Sequence, residues 1–140
     1  MNAVWSRGVV GQLEFLYHTM RTEFAGCFYG QQRGDTITVD LFITSTTDPR
    51  LATDSSVLHG SCPDLHTVKG GHLVGLGHSH IRRGSLCYPS DRDQAVLKAW
   101  KHNGALFGAI MCAQGDSIVM FSEGAYGMLG VPPLDSLYAP

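Results

Sequence analysis

The chain has 140 residues, a formal net charge of −2 and 44% hydrophobic content, which excludes a disordered chain and fits one domain spanning residues 1–140, within the usual roughly 100–200 residues. Charged residues make up 16%, with no basic excess of the kind that binds a phosphate backbone. No apolar run approaches the roughly 18 residues of a membrane-spanning helix, and the N-terminus MNAVWSRGVVGQLEF lacks the cationic start, apolar block and cleavage site of a signal peptide, so the expected compartment is the cytoplasm.

Taken in chain order, residues 9–20 place Val9, Leu13, Leu16 and Met20 at helical spacing on one face. AGCFYG follows as a short apolar run between glycines and reads as a buried strand. QQRGD is a turn signal, and TITVDLFI (36–43) alternates and is rich in β-branched residues, so the two runs read as a hairpin. Residues 44–71 are rich in Thr, Ser, Asp, Gly and Pro and read as a long irregular connection. HLVGLGHSH resumes strand character, 81–89 is a loop, and Ser90 opens a helix that runs to about His102. ALFGAIMC and SIVMFS are two further strands, and the Gly/Pro-rich tail 123–140 reads as loop. The order α, β, β, long loop, β, α, β, β indicates an α+β or mixed-sheet α/β sandwich.

Four cysteines, Cys27, Cys62, Cys87 and Cys112, are widely spread with no CxxC pair, which argues against a zinc ribbon and a thioredoxin-type site. In a cytosolic chain of this size they are expected as thiols rather than disulfides, with Cys27 and Cys112 packing as small hydrophobes in their apolar runs. Cys62 and His66, beside His59, have metal-compatible spacing but read as loop residues.

His78 and His80 stand at i, i+2 near a strand end. On a regular strand such residues share a face, and two neighbouring neutral imidazoles suit a zinc ion. Gly75 and Gly77 thin the approach and leave room for a ligand or another backbone. A catalytic zinc takes three protein ligands and keeps an open position, and a carboxylate from the following helix, Asp91 or Asp93, is the natural third. Its charge gains from the helix N-terminus. The plainer reading is that Ser90-x-x-Asp93 is a capping box. His72 shares the alternation of His78 but lies about 20 Å along the strand, too far to assist. His18 and His102 carry no assignment, and Arg82 and Arg83 sit in the loop as substrate-facing or solvated groups.

The upstream segment TEFAGCFYG sets Glu23 ahead of Gly26 and Gly30. Together with His78-Ser79-His80 and C-Y-P-S-D-R-D (87–93), it resembles the JAMM, or MPN+, metalloproteases, whose pattern is a glutamate with glycines three and seven residues on, then H-[ST]-H-x7-S-x-x-D. GDTITVDLFIT also looks like the family's early strands, and the resemblance runs over roughly residues 5–121. Two departures stand out: Ile81 occupies the place of the usual proline, and nine residues rather than seven separate His80 from Ser90. Asp91 keeps the absolute spacing from His80, whereas Asp93 keeps S-x-x-D. Asp93 is preferred, because the insertion falls in the loop ahead of the helix.

What the resemblance implies is an α/β fold of MPN/JAMM type, cytidine-deaminase-like in layout, with a mixed curved β-sheet flanked by helices. It implies Zn2+ on His78, His80 and Asp93, Glu23 as the general base that passes its proton to the leaving amine, and Ser90 steadying the oxyanion. Ser79, on the opposite face by strand alternation, is expected to be structural. The implied activity is a deubiquitinase-like isopeptidase acting after the C-terminal tail of ubiquitin or a ubiquitin-like protein, a tail able to bind by β-augmentation. The compactness is similar to that of prokaryotic or mobile-element members. The alternative is a metal-free MPN scaffold that binds partners without catalysis. A nucleoside deaminase is disfavoured, because its H-x-E and P-C-x-x-C ligand sets are absent.

Overall fold

The structure, a computed structural model, describes residues 2–19, 24–46, 62, 71–79, 89–112, 117–122 and 138–139. The expected helix forms as α1, Arg7–Thr19. Its start receives a bond from the Val9 amide to Ser6 Oγ at 3.3 Å. Val9, Val10 and Leu13 are buried, while Phe15 on the other side is 67% exposed, as the helical spacing requires. The hairpin is β2, Ala25–Arg33, and β3, Thr36–Thr46, joined at Gly34 and Asp35. Gly34 takes φ +58°, the left-handed conformation that a two-residue hairpin turn calls for. Strand β4 is His72–Ser79, helix α2 is Asp91–Trp100 with a 3₁₀ turn at Lys101–Asn103, and β5 and β6 are Phe107–Cys112 and Ser117–Phe121.

Two elements went unforeseen. Strand β1, Asn2–Ser6, precedes α1, and β7, Tyr138–Ala139, lies in the tail that reads as loop. Both are completed by pairing: β1 runs parallel to β3 (Val4 with Thr38) and to β7 (Trp5 with Tyr138).

These strands form one mixed, curved sheet in the order β6-β5-β4-β2-β3-β1-β7. Strand β2 is antiparallel to β3 and β4, whereas β4 and β5 are parallel and joined through α2, the βαβ connection that parallel neighbours need. Alternation along β5 and β6 divides the core between the two faces of the sheet. Ala109, Met111, Ile118 and Met120 pack with Trp5, Phe28, Phe107 and α1, while Ile110, Val119 and Phe121 pack with Leu76 and with Leu97 and Trp100 of α2. Trp5 meets Phe28 and Phe107 edge-on, with ring centroids at 5.0 and 5.8 Å, a favoured aromatic geometry. One helix therefore covers each face, as the sequence leads one to expect.

Two expectations are corrected here. Cys27 and Cys62 are joined in a disulfide, so neither is the free thiol expected from the sequence; His59 and His66 lie outside the described residues. The space beside Gly75 and Gly77 is filled by aromatic rings rather than by a ligand. A Cβ on Gly75 would meet the Phe107 ring, and one on Gly77 would meet Phe28 Cε2.

Gly26 and Gly30 have a structural reason. The β2–β3 register shifts at Ala25/Gly26 and again at Tyr29/Gly30, and the two backbones press together at those irregularities. A Cβ on Gly26 would overlap the Ile43 carbonyl oxygen, and one on Gly30 the Thr38 carbonyl. The spacing of the two glycines after Glu23 thus records where β2 bends against β3.

Candidate metal centre

The C-terminal end of β4 and the N-terminal turn of α2 meet at His78 and Asp93. His78 pairs with Ala25 on one side and Ile110 on the other, deep within the sheet, so its position is fixed from both sides. Its face of β4 is also that of Leu76, which packs on α2. That arrangement turns the imidazole toward the helix start: His78 Nε2 lies 3.3 Å from Asp93 Oδ1, and the two side chains retain 19% and 17% of their exposure.

Asp93 is oriented by the start of its own helix. Ser90 is the N-cap, with extended backbone; its hydroxyl oxygen accepts a bond from the Asp93 amide at 3.2 Å. Asp93 Oδ2 in turn accepts from the Ser90 amide at 2.8 Å. This is a complete capping box. The capping and ligand readings of Asp93 are therefore compatible, because each uses a different oxygen. Oδ2 closes the cap and Oδ1 faces His78. Ser90 is likewise not consumed by capping, since its hydroxyl accepts the amide bond and keeps its own proton to donate.

The separation of this one donor pair is compatible with two ligands of a shared metal ion. Two ligand atoms at about 2.0–2.1 Å from zinc, at tetrahedral angles, lie about 3.3–3.4 Å apart, and the His78–Asp93 separation is 3.3 Å. Asp91, the first residue of α2, is exposed; of the two candidate aspartates, it is Asp93 that reaches His78. Glu23 and His80 lie outside the described residues, and so do Cys87, Arg82 and Arg83. Among the described residues no group of three or more His, Cys, Asp and Glu side chains comes together; His78 and Asp93 form a pair. His72 is exposed, at the other end of β4.

Ser79 is fully buried, on the face of β4 opposite His78, as alternation predicts. Sequence reasoning did not foresee its partner. The Phe24 amide donates to Ser79 Oγ at 2.9 Å, and the Ser79 amide donates to the Phe24 carbonyl at 2.9 Å.

No protein-family model matches the chain, and no curated protein matches it significantly. Solved structures do. A JAB1/MPN domain protein from Archaeoglobus fulgidus is 20% identical, with a TM-score of 0.53 over 85% of this chain and 88% of that one. A structure described as JAMM, a metalloprotease-like zinc site in the proteasome and signalosome, is 17% identical, with a TM-score of 0.51 over 87% of this chain and 88% of that one. With a mixed curved sheet and one helix on each face, the chain has the JAB1/MPN fold of these structures.

Proposed function

We propose that the chain is a JAMM-type zinc metallopeptidase that hydrolyses the peptide or isopeptide bond after the C-terminal tail of ubiquitin or a ubiquitin-like protein, in deconjugation or precursor processing. The observation that supports the metal part of this reading is the 3.3 Å approach of His78 Nε2 to Asp93 Oδ1, with the second carboxylate oxygen committed to the helix cap; the substrate class rests on the resemblance to the JAMM pattern. His78 and Asp93, with His80, would hold the metal. Zinc bound there supplies a Lewis acid for the scissile carbonyl and lowers the pKa of water toward about 7. Glu23 takes the proton from the attacking water and delivers it to the leaving amine. Ser90 donates its hydroxyl proton to the oxygen that gains charge, while its oxygen continues to cap α2. The ligating carboxylate is held by the Ser90 amide, a hydrogen bond of the kind that orients metal ligands.

The partner is accordingly a ubiquitin-like modifier and its conjugates, bound through an extended tail, with no nucleic acid or membrane surface involved. No described helix is long and apolar enough to cross a membrane. The Cys27–Cys62 bond weighs against the cytoplasm expected from the sequence, because reducing compartments keep such thiols open. The test is zinc content paired with cleavage of ubiquitin-like proteins bearing C-terminal extensions. One zinc per chain and cleavage at the tail support the proposal. Zinc without cleavage leaves the metal site and removes the substrate class. Absence of zinc returns the chain to a metal-free scaffold that binds partners.

A further inference from the structure

We infer that Ser79 is a positioning residue for the general base: its buried hydroxyl holds the backbone of Phe24, the residue that directly follows Glu23. The inference rests on the metallopeptidase reading above and adds a role for a residue outside the ligand set. Ser79 is 0% exposed and is the one buried polar or charged residue among those described. A buried hydroxyl is stable only when bonded, and its partner is the main chain of Phe24, 55 residues away in sequence. The Phe24 carbonyl is held as well, by the Ser79 amide. Phe24 is thus gripped at both of its backbone polar groups by one residue. Its side chain is fixed too, since Phe24 is fully buried and its ring meets Phe42 edge-on at 6.3 Å.

The covalent neighbours give this grip its meaning. Glu23 directly precedes Phe24, and His78 and His80 flank Ser79. The next pair along the ladder is Ala25 with His78. One side chain therefore ties the strand that carries His78 to the residue that follows the proposed base. A general base must stay within hydrogen-bond reach of the proton it removes, and a misplacement of about 1 Å can reduce turnover about 100-fold. Without the hydroxyl, the Phe24 amide is left unsatisfied at the start of β2, and the backbone next to Glu23 gains freedom. The metal ligands themselves are untouched.

The experiment compares Ser79→Ala, Ser79→Thr and Ser79→Val. Thr and Val are near-isosteric, so this pair isolates the hydroxyl even if the Ala variant folds poorly. Five quantities are read: thermal stability, zinc content, kcat and KM on a tail-extended ubiquitin-like protein, and hydrogen exchange at the Phe24 amide. The expected result is at least tenfold faster exchange at Phe24 in the Ala and Val variants, unchanged zinc, kcat lowered about 10- to 100-fold with KM within twofold, and recovery of both exchange protection and kcat in Ser79→Thr. A Val variant that exchanges rapidly at Phe24 yet keeps kcat within twofold of wild type overturns the inference, as does equal impairment of Thr and Val. Slow exchange at Phe24 in all variants removes the grip itself. Wild-type protein without zinc or cleavage overturns the underlying reading instead; loss of protection in Ser79→Val then leaves the grip as structure alone, which also overturns the positioning role.

Discussion

Replacing both bridged cysteines, Cys27→Ala with Cys62→Ala, should lower the stability of the fold substantially. The bond closes a loop across a sequence separation of 35. In the chain-entropy account, releasing such a loop returns about 13 cal/mol/K to the unfolded chain, about 4 kcal/mol at 25 °C. That is a large share of the roughly 5–15 kcal/mol that holds a domain together, and for this chain length it corresponds to a fall in Tm of about 10–15 °C. Cys27 lies within β2, fully buried and paired with Ile43 and Leu76 on its two sides, so the bridge fastens residue 62 to the middle of the sheet. Reversible urea or thermal unfolding, followed by circular dichroism with and without reductant, reads the effect. Reductant should bring the wild type to the level of the variant and leave the variant unchanged. The reasoning is refuted if reductant and variant each shift Tm by less than about 3 °C, or if thiol titration of the unfolded, unreduced protein counts all four cysteines.

Asp93→Ala should lose zinc and also about 1 kcal/mol of helix stability, because the capping box goes with it, whereas Asp91→Ala should keep the metal; metal analysis and unfolding curves on the two proteins check this. Gly30→Ala should destabilise by roughly 3 kcal/mol or more, since a Cβ there overlaps the backbone carbonyl of Thr38. Gly34→Ala should destabilise by only about 1–2 kcal/mol, because the site is open and the penalty comes from φ +58° alone; urea midpoints should rank the pair in that order. Glu23→Gln should retain zinc and fold while losing about 10²–10⁴-fold in turnover, and His78→Ala should lose metal and turnover together, as read by metal content and cleavage on the same preparations.

The helices and the central strands were legible because their side chains repeat at the period of the element. Val9, Leu13 and Leu16 mark α1, TITVDLFI marks β3, and Ser90 marks the start of α2 to the residue. Strands β1 and β7 left no such trace. They are five and two residues long, and they become strands by docking on β3 and on each other, a tertiary effect with no local period. The disulfide was illegible for a related reason: spacing does not bring residues 27 and 62 together, and only the fold sets their Cα atoms 5.8 Å apart. Gly75 and Gly77 drew attention as open space, but small residues within a sheet also admit large rings from the next layer, here Phe107 and Phe28. At the site, the spacing named His78 with His80 and left Asp91 or Asp93 open, the resemblance to the JAMM pattern chose Asp93 and added Ser90, and the competition between a ligand and a helix cap was visible as well. Its resolution needed atoms, because only the geometry divides the two oxygens of Asp93 between Ser90 and His78.

The central claim, a zinc site built on the β4–α2 junction, is tested most directly by metal analysis of protein purified without chelator and without a histidine tag. The account predicts one zinc per chain in the wild type and none in Asp93→Ala, with both proteins folded. Wild-type protein that binds no zinc, even after incubation with the metal, contradicts it.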